Sequence, residues 1–394
     1  MTVKLDVAGA TSFALQSALG AYTDEAYTNA KKLSGTGIVS GNPQITKDTE
    51  TYIGQMRWFK PLNAVINVAS LTDSAAGSGQ TFASDFLTYV KTVRTHGMTQ
   101  VNLQKVVAQE DGLAKIARDF VETQTQDEHN ALLAVLRGVA ISEALNGCAT
   151  GSGATGLGGQ TFNNDPTDAK YGFYVDLGAA KPVIAASATA QGAARAEGFL
   201  QAIGMGYKDY EPAYLYLITS PEVMASLRSA NLVDQDGVEE AGVMFQTIFG
   251  GKFRLVQTRA NQSLSSGELT KLNTGAGVDI VGTKISFLVK PGALAMEPLS
   301  LEEPVGITKD AKSYKGGGST DVWYRWGYVA HPAGYNWNGA VDAFPTDALY
   351  QTCVTGGVVD ATLAGATVGV TTKGTWVRKA TSALSLGILP VFHS

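Results

Sequence analysis

Charged side chains and cysteine are scarce in this chain of 394 residues: 16% are Asp, Glu, Lys or Arg, and Cys148 and Cys353 are the only thiols. Two cysteines so far apart give zinc no ligand set and supply no disulfide framework, so both are expected to be reduced thiols of a cytosolic product. The formal charge of −5 lacks the basic footprint on which a dedicated nucleic-acid binder relies. No apolar run approaches the roughly 20 residues that a bilayer span needs. Lys4, Asp6 and Gln16 break up the N-terminal stretch where an export signal would need a continuous apolar core. Neither membrane insertion nor export is expected. Also missing are an internal repeat, a G-x-x-x-x-G-K-[ST] phosphate loop and a G-x-S-x-G nucleophile elbow.

What the chain does have is 44% hydrophobic residues, enough to fill a sizeable core, and 45 glycines. Its length implies two or more domains, or one domain with large excursions. Few charges combined with many glycines point to β-structure, irregular loops and burial against other copies of the chain.

Residues 1–50 are small, polar and Gly/Thr/Ser-rich, with one helix expected around Ala10 to Leu33. That composition suits an arm lying on something else. "YIGQMRWFKPLNAVINVASL" and "FASDFLTYVKTV" are β-prone on either side of the turn-forming "TDSAAGSGQT" (Thr72 to Thr81). Residues 52–94 therefore read as a long two-stranded excursion. A lone hairpin is marginal in water, so its stability is expected to come from packing on a neighbour.

A long helix follows, capped by Asp111 and stopped by Asn146-Gly147. From Leu113 to Leu145 it spans about 50 Å. Leu113, Ala117, Phe120, Val121, Ala131, Val135 and Val139 keep a helical period, while Gln124, Asp127 and Glu128 interrupt the same face. The polar centre is expected to face solvent or another subunit. Gly138 costs about 1 kcal/mol against Ala inside a helix, which points to a close contact or a bend there.

Beyond the helix, "GCATGSGATGLGGQTFNNDPTD" reads as a loop and Ala190 to Met205 as a second helix. "AYLYLITSP" is a buried strand, and Pro221 opens a further helix. "GKFRLVQT", "KISFLVKPGALAMEP" and the aromatic "STDVWYRWGYVAHPAGYNW" are strands, and "GILPVF" is the last one. The alternation implies an α+β architecture.

Several stretches imitate chemistry without supporting it. Asp127-Glu128-His129 looks like a nucleotide-motor box, yet polar Thr123 to Gln126 precede it instead of a buried strand. Its helix offers His129 no ligand at positions 125, 126, 132 or 133. Gly151, Gly153 and Gly156 match G-x-G-x-x-G, but they follow a helix end and lead into no helix, so they read as a loop. In "DQDGVEE" (Asp234 to Glu240) the glycine comes too early for a calcium loop. "NNDPTD" (Asn163 to Asp168) reads as an Asx/Pro turn. His96, His129, His331 and His393 share no motif. Trp323, Tyr324, Trp326, Tyr328, Tyr335 and Trp337 offer a stacking platform for bases or sugars, but alternation in a strand favours sheet packing. No catalytic, cofactor-binding or metal-ligating residue is assigned, and no cofactor is expected.

The order of elements carries more. "IARDFVETQTQDEHNALLAVLRGV", "YLYLITSPEVMASLRSANLVD", "ISFLVKPGALAMEP" and "STDVWYRWGYVAHPAGYNW" resemble, in order, the spine helix, the axial strand–helix pair, the "GA" strand and the "H-P-x-G" peripheral strand of one family. That family is the major capsid protein of tailed bacteriophages, in the Hong Kong-type coat fold, and the resemblance spans roughly residues 50 to 345. It implies an N-terminal arm (1–51), an extended loop (52–94), a peripheral domain with spine helix (95–147), an axial domain (148–318), a returning peripheral strand (319–345) and a C-terminal segment (346–394).

The implied function is structural, not enzymatic. Pentamers and hexamers would build an icosahedral head shell around a viral genome, with the 52–94 excursion lapping over an adjacent subunit. The protein would be made in the host cytoplasm and reside in the virion. It would touch packaged DNA only weakly and non-specifically. A separate scaffolding protein is expected, because no long charged segment precedes the arm. No lysine lies between Leu62 and Val90, so the lysine–asparagine crosslink of some family members is not expected. The stretch 356–373 matches none of the family's elements placed above and suits a surface hairpin or a strand addition that meets a neighbour or a cement protein. Rival readings are a nanocompartment shell of the same fold, a soluble enzyme whose site converges from distant residues, and an aromatic-strand binding module.

Overall fold

The computed structural model describes residues 33, 36–48, 50–59, 84–101, 112–148, 174–176, 213–229, 232–234, 237–240, 243–258, 284–339, 344–351, 353–355, 358–360, 372–379 and 386–393. The helices expected at Ala10 to Leu33 and Ala190 to Met205, the Thr72 to Thr81 tip, the Gly151 to Gly156 loop and "NNDPTD" lie outside these residues, apart from Leu33 itself.

Strand β1 (Val39–Ser40) precedes β2 (Ile53–Phe59) and β3 (Ser84–Val90), which pair antiparallel from Ile53 opposite Val90 to Phe59 opposite Ser84. This is the root of the expected excursion, which ends at Val90 and not at residue 94, because Thr92–Val101 pairs with Ser319–Tyr328 in another sheet. Lys91 alone separates β3 from β4 (Thr92–Val101), and the long helix Gly112–Cys148 follows. At 37 residues the helix runs about 55 Å. It passes straight through the expected stop at Asn146-Gly147, which correspondingly needs correction. Asn and Gly lower helix propensity but do not forbid helical backbone angles.

Next come β5 (Val175–Asp176), β6 (Leu215–Thr219), the helix Pro221–Ser229, β7 (Val238–Glu240), β8 (Val243–Ile248), β9 (Phe253–Gln257) and β10 (Lys284–Val289). β11 (Leu294–Pro298), β12 (Val305–Asp310), β13 (Ser319–Pro332) and β14 (Tyr335–Trp337) continue the chain. A short helix, Asp347–Tyr350, leads to β15 (Cys353–Thr355), β16 (Val358–Asp360), β17 (Thr372–Gly374), β18 (Trp376–Arg378) and β19 (Ile388–His393).

Two larger sheets result, and the α+β class is as expected. In one, β13 pairs along one edge with β4, and along the other with β12 and β11 in succession, while β1 adds in parallel to β11. The other runs β5-β19-β10-β6-β9-β8-β7. "KISFLVKPGALAMEP" is not one strand but two, β10 and β11, placed in different sheets. Pro291 lacks a donor for a ladder and Gly292 takes φ 67°, so the chain turns between them. The segment 148–318 thus contributes strands to both sheets, and the last strand of the chain, β19, sits between β5 and β10.

The long helix serves both sheets. Its second half, from Ala131 to Ala144, shares one apolar cluster with both sheets and with Tyr350 and Trp376, and it meets the seven-stranded sheet at β19. Its first half places Ile116, Ala117, Phe120 and Val121 on Val305 and Val322 of the other sheet. A third cluster joins Ile45, Met56, Leu87, Tyr89, Leu299 and Val329. The root of the hairpin therefore packs on its own chain, where the marginal stability of a lone hairpin had suggested a neighbour.

Candidate functional site

Asp127-Glu128-His129 sits at the middle of the long helix, and its surroundings overturn the expectation of a face turned to solvent or another subunit. Helical spacing puts Gln124, Asp127 and Glu128 on one face, and strand alternation puts Tyr324, Trp326 and Tyr328 on one face of β13. The two sets meet. Trp326 Nε1 and Tyr328 Oη each donate to Asp127 Oδ2 at 3.0 Å, and Tyr324 Oη donates to Gln124 Oε1 at 2.6 Å. Gln124 Nε2 in turn donates to Glu128 Oε1 at 2.7 Å, and Glu128 is buried. Arg94 of β4 closes the other side, with Nε 3.4 Å from Asp127 Oδ1, Nη2 3.0 Å from Asp347 and Nη1 donating to the Pro345 carbonyl at 2.7 Å. Burial, with Glu128 adding to it, pushes the Tyr324 phenol up to about 12, and burial beside Asp127 raises Tyr328 as well. Both phenols therefore stay protonated as donors. The seam is a polar weld between helix and sheet.

The aromatic strand resolves the same way. Tyr324 stacks between Phe120 and Trp326, with ring centroids 5.5 Å apart on each side. Tyr335 and Trp337 belong to a second cluster at the C-terminal half of the helix, where Trp337 and Tyr350 pack on Trp376. Sheet packing accounts for all of the six aromatics except Trp323, which is 47% exposed. Its indole lies over Gly97, where a Cβ would come within 2.7 Å of the ring.

The four histidines have different surroundings. His96 meets Phe120 edge-on, His331 is buried against Trp376, and His393 Nε2 lies 2.8 Å from the buried Ser286 hydroxyl. His129 lies on the helix in the Asp127 turn. Among the described residues no group of three or more His, Cys, Asp and Glu side chains is placed to hold a metal, and no helix is long and apolar enough to cross a membrane.

Some large apolar side chains are exposed among the described residues. Phe86 on the hairpin is 52% exposed with Arg57 beside its ring, and Tyr314, between β12 and β13, is 60% exposed. Tyr314 and Lys315 both hold positive φ, 52° and 56°, in a turn tied by the Ser313 hydroxyl to Ser319 at 2.7 Å. Motif reading missed Arg94, Asp347 and Lys91, because their roles arise from partners more than thirty residues away.

No protein-family model and no curated protein matches the chain. Among solved structures it is similar to a chain in the head structure of Helicobacter pylori bacteriophage KHP40, at 11% identity and a TM-score of 0.45, covering 93% of this chain and 92% of that one. It is also similar to a chain of the acidic stable capsid of Helicobacter pylori bacteriophage KHP30, at 11% identity and a TM-score of 0.45, with 92% and 91% covered. A chain of the mature capsid of bacteriophage PhiM1 matches at 12% identity and a TM-score of 0.40, with 75% and 83% covered.

Proposed function

We propose that this chain is a structural subunit of an icosahedral viral head, assembling as pentamers and hexamers into a shell around a genome. One observation carries the reading. A single helix of 37 residues is the shared spine of two sheets, and a two-stranded hairpin stands outside both. Such a frame is stiff along one axis and presents separate edges to neighbours, as a tile must. Residues 52–94 lap over an adjacent subunit, and the residue 1–51 arm reaches another. Residues 95–147 with 319–345, joined by β11 and β12, form the peripheral part, and the rest of 148–318, completed by β19 from the 346–394 segment, forms the axial part. Exposed Phe86, Tyr314 and Trp323 are the kind of apolar surface that neighbours bury. Each contact is weak, and repetition around closed symmetry makes the whole cooperative. The work is assembly, not catalysis. The protein is made in the host cytoplasm and ends in the virion, with a separate scaffolding protein, a cement protein near 356–373 and only loose contact with DNA.

Light scattering and negative-stain microscopy of the full chain test this. Closed particles of megadalton mass are expected. Deleting residues 62–81, which spares β2 and β3, should leave native-like circular dichroism but no closed shells. Shells of normal size from that variant would defeat the role given to the hairpin. A chain that stays monomeric or dimeric under every assembly condition would defeat the shell.

A further inference from the structure

Lys91 occupies an unusual place. It is the single residue between β3 and β4, where the chain leaves the hairpin and enters the five-stranded sheet. Its side chain is 0% exposed, yet it carries an ammonium group. Among the described residues its charge is met by the stretch before β2: Nζ lies 2.6 Å from Asp48 Oδ1 and 3.2 Å from the Thr51 hydroxyl. Its backbone N–H donates to the Tyr52 carbonyl at 2.8 Å.

Both acceptors of Nζ belong to the stretch just before β2, and that stretch is tied in two directions. Toward the hairpin, Ile45 is buried with Met56, Leu87 and Tyr89, and Tyr89 Oη accepts the Thr46 N–H at 2.9 Å. Tyr89 in turn lies across Gly54, where any Cβ would overlap its ring. Toward the sheet, the Lys47 carbonyl accepts the Ser300 N–H at 2.9 Å, and Lys47 Nζ stands 3.3 Å from Glu297 of β11. The segment bridges hairpin and sheet across the joint at Lys91.

We infer that Ile45 to Asp48, with Thr51, form a strap that locks the joint between hairpin and sheet, and that the Lys91–Asp48 pair is its bolt. A buried ammonium without its carboxylate is costly, and the cheapest relief is to reach water. The Asp48 side chain is 48% exposed, so the pair leads from the joint to its rim, and without the carboxylate the ammonium must move toward that rim and loosen the joint. The strap therefore sets the angle of the hairpin, and anything that draws Asp48 away frees the hairpin to swing. The lock belongs to the protomer and does not rest on the shell reading.

Hydrogen exchange followed by mass spectrometry on the full chain tests it. Asp48→Asn should speed exchange at Ile53–Phe59 and Ser84–Val90 by about tenfold or more while the helix from Ala131 to Ala144 keeps its protection. The double variant Asp48→Asn with Lys91→Met removes the buried charge and should restore protection of the hairpin. Unchanged exchange in Asp48→Asn overturns the lock. So does a uniform loss across the chain, or a double variant as open as the single one. Failure of the natural chain to form shells, with the exchange pattern as expected, would count against the function and leave the lock standing.

Discussion

At Gly138 a Cβ would overlap the Tyr350 carbonyl oxygen and approach Trp376 Cδ1 to 2.9 Å. The obstacle includes backbone, which cannot step aside as a side-chain tip can. Gly138→Ala gains about 1 kcal/mol of helix propensity, but the overlap should outweigh it and leave the protein destabilised by about 1–3 kcal/mol. Urea unfolding measures this, and a stabilised variant would contradict the close approach. His331 is the other residue with a decisive setting. Burial holds its imidazole down to about 3, and the nearby Tyr335 backbone offsets only part of that. The unfolded chain takes up this proton near pH 6.5, whereas the folded ring stays neutral until about 3. The contribution is complete above pH 6.5 and drains away as pH falls toward 3, at up to about 1.4 kcal/mol per pH unit. His331→Leu should therefore lose less stability than the natural chain between pH 7 and pH 4. Equal losses would show that the ring does not stay neutral.

Among the elements, the helix–β13 seam concentrates the polar energy. Asp127 accepts from two donors on β13 and faces Arg94, which keeps Asp347 and the Pro345 carbonyl without it. Asp127→Ala strands the Trp326 and Tyr328 donors in a partly buried seam and should cost about 2–4 kcal/mol. Chemical denaturation is the measurement, and a loss below about 0.5 kcal/mol would mean that water replaces the carboxylate. The sequence showed the helix, its apolar ends and the polar break at Gln124, Asp127 and Glu128. It could not show the direction of that break, because the partners Tyr324, Trp326 and Tyr328 lie about two hundred positions away. The turn at Pro291-Gly292 was equally visible as letters, yet the run around it was apolar enough to read as one strand.

For the whole molecule, the position of the exposed apolar side chains is what matters. The apolar surface that the chain leaves exposed at Phe86, Tyr314 and Trp323 sits on the hairpin and on the five-stranded sheet with its connecting turn. The strap at Lys91 lies between those two parts. If the hairpin meets a neighbour, its angle is set by residues of the arm before contact is made. Preorganisation of that kind lowers the entropy cost of each contact. The deletion of residues 62–81 and the exchange experiment at Lys91 separate these levels, one reading the shell and the other the protomer.

Periodicity and local backbone preference by themselves determined the α+β class, the paired strands of the hairpin, the buried strand at Leu215–Thr219 and the Pro221 helix, and they left open whether Gly138 marks a close contact or a bend. Only the tertiary structure decided that β19 lies inside the seven-stranded sheet, that the polar centre of the helix faces β13, and that Lys91 is buried against the arm. Those outcomes depend on which distant segments meet, and a polar side chain looks the same in sequence whether it finds water or a buried donor.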